Sequence, residues 1–441
     1  MGRYQTLKLA VIGTGYVGLV IGSGFADLGM EVTCVDNDEA RLRQLQSGRL
    51  PFFEPGLQDL VTRHVDRGRL RFTQDLGSAV RDSQVVFITV GTPGRPDGTP
   101  DLSQVEAAGK AIADNLDSFK LVVMKSTAPV GTTRRLAALM RSQRGPAADL
   151  EVACNPEFLR EGSALEDFMH PNRVIIGTES ERGARILRDI YRPLYLIETP
   201  FILTSLETAE LIKYAANSFL AMKISYINEM ANLCDALHID AHVVANAMGM
   251  DRRISPKFLH PGPGFGGSCF PKDCRALVQM AHQAGVELSL VDSALQVNAR
   301  QYKVVLRKLQ EGLGSLEGKT IAIWGLSFKP NTNDIRESTA IAICQALLEA
   351  GCKLRAYDPV ACAEAQRVLS QRVVCFCRGP LETAQGADAV VLATEWNEFR
   401  NLDLAEVKRA MRGDVLVDSR NVYDIEMVKG LGFRYFGVGR R

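Results

Sequence analysis

The chain is built around short, almost wholly apolar runs, each closed by a turn residue and followed by a segment of helical spacing. "LKLAVIG" ends at Gly13, and "GYVGLVIGSGFADLG" follows it to Gly29. "EVTCVD", "QVVFITV" and "KLVVMKST" repeat the pattern, and "LEVACNPEF", "NRVIIGT" and "YLIETP" read as later strands. A strand that is apolar on both faces must be covered on both, which demands a mostly parallel sheet between layers of helices. This rhythm defines a first domain over 1–203. It then stops. "LETAELIKYAANSFLAMKISYINEMANLCDAL" runs for about thirty residues without Gly or Pro, a helix of about 45 Å at 1.5 Å per residue. "DAHVVANAM", "CRALVQMAHQAG" and "VDSALQVNARQYKVVLRKLQEGL" continue in helical spacing, so 204–310 is expected to be helical. At Lys319 the first rhythm restarts with "KTIAIWG", "CKLRAYDP", "DAVVLAT" and "DVLVDS". Asp358 closes the second of these strands as Asp36 closes its counterpart. A second doubly wound domain is therefore expected over 311–441.

"VIGTGYVG" sets Gly13, Gly15 and Gly18 between a strand and a helix, and Asp36 ends the next strand eighteen residues on. In that context the pattern is a dinucleotide site. The glycines admit a pyrophosphate to the backbone, and the helix N-terminus favours its charge. Asp36 would accept from ribose hydroxyls and repel a 2'-phosphate, which favours NAD over NADP, although Arg41 stands close by. The fold class is thus α/β, with two Rossmann-like domains joined by a helical domain that contains a long central helix. Thr92 in "VGTPGRPDGTPDL" and Thr127 in "KSTAPVGTT" follow strands, where open sheets bind their ligands.

The 441 residues are 46% hydrophobic and 23% charged with a formal net charge of +1, so no global field points to nucleic acid or an acidic membrane. The opening "MGRYQTLKLAVIG" has no long apolar region, so no signal peptide is expected, and no apolar run approaches the ~18 residues of a membrane span. Ten cysteines are scattered without a CxxC pair or zinc spacing, and a reducing cytoplasm fits them. His238 and His242 are four apart but fall at a helix junction, and no metal is expected.

One cysteine differs from the rest. "PGPGFGGSCFPKD" surrounds Cys269 with glycines and prolines, so a ligand can lie against bare backbone. Pro271 opens a helix, which puts Cys269 at its N-terminus with Lys272 nearby, and both favour the thiolate. The other nine, Cys274 among them, are read as small apolar core residues. A thiolate beside an NAD site fits the oxidation of an aldehyde to an acid through a thioester. Lys213 and Asn217 sit one helical turn apart inside "LIKYAANSFL", either as packing residues or as donors to a developing oxyanion. Glu157 and Glu161 in "NPEFLREG" are either solvated or a base for water.

With "GTGYVG", "VGTP", "STAPVGTT", "NPEFLREGSA", "ELIKYAANSFLAMKISYINE", "GMDRRI", "GPGFGGSCFPKD" and "GLSFKPNTNDIRES" in order, nearly the whole chain resembles the UDP-glucose/GDP-mannose dehydrogenase family. The resemblance implies two successive NAD-linked oxidations at C6 of UDP-glucose, giving UDP-glucuronate without release of the aldehyde. It implies Cys269 as the nucleophile that forms a thiohemiacetal and then a thioester. It implies Lys213 and Asn217 at the oxyanions, Asp273 with a water in proton transfer, and Glu157 with Thr127 at the hydrolytic water. Lys213 and the Asp273–water pair both qualify to take the first proton. Cofactor contacts match Val11, Gly13, Gly15, Tyr16, Val17, Gly18, Asp36, Arg41, Thr92, Thr127, Glu161, Lys272 and Arg336. Substrate contacts match Glu157, Phe158, Leu159, Arg160, Glu161, Lys213, Asn217, Phe258, Leu259, His260, Pro261, Gly262, Gly266, Cys269, Phe328, Lys329 and Arg420. Arg253 in "DRRI" matches a residue that reaches the neighbouring subunit's substrate, which implies a homodimer through the central helical domain. Pro100 and His260 depart from the pattern, and His260 bears on sugar choice. The same chemistry on another sugar nucleotide such as GDP-mannose, a one-step hydroxyacid dehydrogenase and a non-catalytic nucleotide-sugar sensor are the competing readings.

Overall fold

A computed structural model describes residues 7–145, 148–369 and 374–440. The chain forms two compact units, one of Met1–Ala216 with His282–Ala284, the other of Asn217–Ala281 with Gly285–Arg441.

The first unit holds an eight-stranded sheet. Its strands are β1 (Lys8–Ile12), β2 (Glu31–Val35), β3 (Leu70–Thr73), β4 (Val85–Ile88), β5 (Lys120–Met124), β6 (Leu150–Cys154), β7 (Val174–Gly177) and β8 (Phe201–Thr204). They lie in the order β3-β2-β1-β4-β5-β6-β7-β8. Leu9 and Val11 enter one hydrophobic cluster while Ala10 and Ile12 enter another, so each face of β1 is core. That double burial is why these strands read as unbroken apolar runs. The sheet is parallel except where β6 meets β7, paired antiparallel at Cys154 and Gly177. No crossover helix of the usual length separates those two strands. Only the "NPEFLREG" loop and the short helix Ala164–Met169 do, and the chain therefore returns from the end at which it left.

The expected strand at "YLIETP" is corrected. Arg192–Ile197 is a 3-10 helix, and the strand falls on Phe201–Thr204. Pro193 opens that turn, and the strand that follows is an edge, with Ile202 and Leu203 exposed rather than buried on both faces.

The second unit repeats the plan with β9 (Thr320–Trp324), β10 (Lys353–Tyr357), β11 (Val374–Phe376), β12 (Ala389–Leu392), β13 (Val415–Asp418) and β14 (Arg434–Gly437). Their order, β11-β10-β9-β12-β13-β14, matches the first six strands of the other sheet, and all pairs are parallel. Ile321 and Ile323 face one cluster, Ala322 and Trp324 the other.

Between the sheets in sequence lie the long helix Leu206–Leu237 and the helices Ala241–Met250, Phe270–Gln283, Ser289–Gln301 and Lys303–Leu313. The long helix ends where His238 takes a left-handed φ of 57°, and the Asp240 carboxylate caps the next helix by accepting from the His242 N–H. "VDSALQVNARQYKVVLRKLQEGL" is two helices, not one, broken only at Tyr302. Among the described residues no helix is long and apolar enough to cross a membrane.

Candidate active site

In the first unit the chain leaves β1 through Val11 and turns at Gly13, where φ is +101° and a Cβ would lie 3.0 Å from the Thr89 carbonyl oxygen. Gly18 packs against the same turn, since a Cβ there would overlap the Gly13 carbonyl oxygen at 1.9 Å. Gly15 differs: it precedes the helix Tyr16–Asp27 and has nothing within 4 Å of its would-be Cβ. Two glycines shape the turn and one leaves open room before a helix N-terminus, which is where a pyrophosphate sits in this fold. Asp36 follows β2 and is buried. Its Oδ2 accepts from the Thr14 N–H and hydroxyl at 2.7 Å and from Arg41 at 3.0 Å, while Oδ1 accepts, among the described residues, only the Asp38 N–H. Burial pushes this carboxyl up, but the bonds from Asp38, Thr14 and Arg41 outweigh it and hold the group below its ordinary value. Oδ1 keeps acceptor capacity for a ribose hydroxyl. These residues fit NAD.

Asp358, in the matching place of the second sheet, does not. Its carboxylate accepts from the Leu326 and Ser327 N–H groups, the Ser327 hydroxyl, the Trp396 indole and the Val360 and Ala361 N–H groups. It is saturated by protein and has no acceptor left for a ribose.

The loops after β4, β5 and β6 are fixed by a few buried bonds. The Thr92 hydroxyl donates to the Thr127 carbonyl at 2.7 Å, and Ser126 donates to the Val90 carbonyl. Glu210 of the long helix accepts from the Gly131 and Thr133 N–H groups and so caps the helix that follows Thr127. Glu157 is buried, 3.0 Å from the buried Lys213 ammonium, and its other oxygen accepts the Leu159 N–H. Phe158 lies under both Arg173 and Lys213, and Arg160 forks onto Asp167. Glu161 is half-buried and raises the Tyr16 hydroxyl pKa, to which burial and Glu54 contribute more.

In the second unit Cys269 immediately precedes the helix Phe270–Gln283, and its carbonyl accepts the Asp273 N–H at 2.8 Å. It is therefore the N-cap residue. Its Sγ lies 3.5 Å from the Ser268 hydroxyl. Asp273, one turn on, is buried. Its Oδ2 accepts from the Asn217 amide and its Oδ1 from Lys272, both at 2.7 Å. The loop before the thiol has its backbone tied down at several points. Asn228 accepts the Gly262 N–H, Gln301 donates to the Gly262 carbonyl, Asn298 bonds both backbone groups of Phe265, and the Gly267 N–H reaches the Arg336 carbonyl. A Cβ on Gly266 would meet the Glu337 carbonyl oxygen at 2.2 Å, and one on Gly267 would strike the Phe328 ring. A Cβ on Gly262 would lie 3.5 Å from the Arg420 guanidinium, which donates to the Phe328 and Ala393 carbonyls. Lys329 stands 5.4 Å over the Phe328 ring. Arg336 precedes its helix by three residues rather than opening it, and pairs with Asp334. Phe258 is left-handed at φ 67°, Leu259 and Pro261 are buried, and His260 is exposed. Arg253 is exposed and paired with Asp251.

Seven of the ten cysteines are buried, and burial pushes Cys34, Cys274 and Cys344 each up to about 12. Two of the nine expected core thiols are not in a core: Cys375 is exposed on an edge strand, and Cys362 is half-buried against Asp358. Sequence reasoning passed over Lys125, Asn155 and Tyr191, which line one cavity with Glu157, and Glu54, which accepts from the Gly162 and Ala164 N–H groups. The one available signal was Lys125 itself, a charge standing directly after the buried run of β5.

Three domain models of the UDP-glucose/GDP-mannose dehydrogenase family match the chain: the NAD binding domain over 7–195, the central domain over 207–300 and the UDP binding domain over 322–425. A UDP-glucose 6-dehydrogenase of Rhizobium meliloti (strain 1021) is 49% identical over 98% of this chain and 100% of its own length. The UDP-glucose 6-dehydrogenase TuaD of Bacillus subtilis (strain 168) is 43% identical over 98% of this chain and 93% of its own. A solved UDP-glucose dehydrogenase from Pyrobaculum islandicum superposes with a TM-score of 0.92 at 38% identity, covering 100% of both chains.

Proposed function

Because the chain belongs to the UDP-glucose/GDP-mannose dehydrogenase family, we infer that it carries out the NAD-dependent, four-electron oxidation of UDP-glucose to UDP-glucuronate. The observation that carries the chemical reading is the half-buried Cys269 thiol at a helix N-cap, one turn before the Asp273–Asn217–Lys272 cluster. Bound NAD supplies the hydride acceptor for each of the two oxidations. The C6 hydroxyl loses its proton to Lys213 in its amine form or to water held by Asp273, and a hydride leaves the C6 carbon to give the aldehyde. The Cys269 thiolate then adds to the aldehyde carbon, forming a C–S bond and a thiohemiacetal whose oxyanion Lys213 and Asn217 stabilise. Loss of the second hydride leaves a thioester. Glu157, with Thr127, takes a proton from water as it adds to the thioester carbon. The C–S bond breaks and the thiolate returns. Asn217 retains a second amide hydrogen for the oxyanion while the first holds Asp273.

The same reading assigns 1–203 to NAD binding, 204–310 to dimerisation and the thiol loop, and 311–441 to the UDP-sugar. The matched family domains support that division. In the cofactor domain Val11, Tyr16, Val17, Thr92 and Glu161 join the glycines and Asp36, with Lys272 and Arg336 as further contacts. The FLREG segment, Phe258–Gly262, Gly266, Phe328, Lys329 and Arg420 hold the substrate. A homodimer is supported by Phe219, Tyr226, Leu233 and Leu237. They are 57%, 47%, 50% and 57% exposed, and at spacings of seven, seven and four they form one apolar stripe on the long helix. Arg253, exposed, is assigned to the partner's substrate. A cytoplasmic location is supported by ten cysteines with no disulfide among them.

Cys269→Ser tests the chemistry. Steady NADH formation with UDP-glucose should be lost while UDP-glucose still binds in calorimetry. Production of the acid at the parent rate by this variant would overturn the mechanism. A second reading, GDP-mannose as substrate, is tested by comparing NADH formation on the two sugar nucleotides. Turnover on GDP-mannose without turnover on UDP-glucose decides for it.

A further inference from the structure

Lys125 is one of three buried lysines among the described residues of the first unit, with Lys120 and Lys213, and the mechanism above gives it no role. It follows β5 directly, beside Asn155 at the end of β6. Its ammonium donates to Asn155 Oδ1 at 2.9 Å and to the Tyr191 hydroxyl at 3.1 Å, and Tyr191 donates to the same Asn155 oxygen at 2.6 Å. Both of its acceptors are neutral. An ammonium buried without a carboxylate in contact loses hydration that these partners only partly replace. A purely structural lysine would be better replaced by an apolar residue. The arrangement keeps a charge where a core would not otherwise have one.

That charge borders a cavity of about 50 Å³ whose lining includes Lys125, Asn155, Glu157, Asp167, Arg173 and Tyr191. The volume admits water, and the wall offers the two to four polar partners a buried water needs. The titratable and charged groups facing Lys125 are Glu157, Lys213, Cys154 and Tyr191. Glu157 attracts its proton, Lys213 repels it, and Cys154 and Tyr191 are held neutral by burial, which pushes both far up. Arg173 lies over Phe158 on the same wall, and Asp167 is already forked by Arg160. The Glu157–Lys213 pair alone is neutral; with Lys125 protonated the group of three carries one net positive charge.

We propose that Lys125 is a positioning residue for thioester hydrolysis: from across the polar cavity its ammonium aligns Glu157 and the attacking water that this base activates. This rests on the assignment of Glu157 to that step. Burial draws the Lys125 pKa down to about 8, so its charge is present at neutral pH and lost just above it.

The test is release of the acid from the thioester in single-turnover rapid-quench experiments, followed across pH for the parent, Lys125→Met, Lys125→Arg and Glu157→Gln. In Lys125→Met the hydrolytic rate at neutral pH should fall roughly tenfold, and it should no longer change between pH 7 and 9. Lys125→Arg, which keeps the charge, should hold the parent's neutral-pH rate up to pH 9. A structural role would lower the rate by the same factor at every pH, and a pH 7–9 change that persists in Lys125→Met overturns the proposal. If Lys125→Met does not fold, Lys125→Arg still decides. The parent rate should change between pH 7 and 9 as Lys125 loses its proton, and Lys125→Arg should not; the same change in both variants overturns it. Glu157→Gln separates the two inferences. If it abolishes hydrolysis while Lys125→Met keeps the parent's pH profile, only the role of Lys125 fails. If Glu157→Gln keeps the parent's rate, the base assignment fails and the proposal with it.

Discussion

Single residues in this protein differ in whether they hold the fold or leave room for a ligand, and the glycines separate the two cases. Gly266 is pressed against the Glu337 carbonyl, so Gly266→Ala must push backbone apart; overpacking of this kind costs about 1–3 kcal/mol. Its urea midpoint should fall at an unchanged slope. Gly15→Ala meets nothing in the protein. Its melting temperature should stay within a degree or two while KM for NAD rises roughly tenfold or more, because the new methyl takes the room a pyrophosphate needs. Equal effects of the two variants on stability would contradict this division. Asp36 adds a pH dependence. Its folded-state pKa is depressed, so its contribution to stability is present above the ordinary carboxyl value near 3.9 and is lost as pH falls through the depressed one. The stability difference between the parent and Asp36→Asn, read from urea unfolding, should therefore be largest at neutral pH and shrink as pH falls below the ordinary carboxyl value. A constant difference across that range would show that Asp36 acts through its shape rather than its charge. Glycine spacing and the acid at the end of β2 made these roles readable in sequence. Lys125 was not readable, because its meaning lies in Asn155 and Tyr191, thirty and sixty-six residues away.

At the scale of elements, legibility followed burial. Strands covered on both faces left runs that periodicity alone identifies, and the Gly- and Pro-free stretch forecast the long helix, which spans Leu206–Leu237. The errors fell where that signal weakens. The edge strand β8 has polar and exposed surroundings, while the preceding "RPLYLI" is apolar enough to imitate a strand yet folds as a 3-10 turn behind Pro193. The break at Tyr302 leaves no composition signal at all, since its backbone stays in the right-handed helical region. The long helix carries the dimer proposal, and its exposed stripe makes that testable. Leu233→Glu places a charge in the centre of the stripe, where an apolar contact between subunits would have to desolvate it. Sedimentation should give a monomer for Leu233→Glu and a dimer for the parent, while Val243→Glu, exposed but off the long helix, should leave the parent's state unchanged. A parent that sediments as a monomer at micromolar concentration would end the proposal.

Across the whole molecule, one strand order is used twice for two ligand chemistries. The difference lies in what the acid after the second strand is bonded to. Asp36 leaves an oxygen for a ribose, and Asp358 has none to offer. The first sheet also opens room at Gly15, whereas the matching position after β9 is Ser327, whose N–H and hydroxyl both bond Asp358. Sequence showed the repeat but could not show this inequality, because both acids end apolar strands. Two ligands with separate footprints follow. Ligand at a hundred times its Kd adds about 2.7 kcal/mol to the state that binds it, which slows local amide exchange by roughly a hundredfold where opening must release the ligand. NAD alone should protect the turn from Gly13 to Val17 and leave 258–267 near its apo rate. UDP alone should protect 258–267 and the segment from Gly325 to Lys329, and leave the first turn unprotected. Exchange measured by mass spectrometry on the full chain reads both. Protection of the Gly13–Val17 turn by UDP, or of Gly325–Lys329 by NAD, would mean that the two sheets do not divide the ligands as Asp36 and Asp358 require.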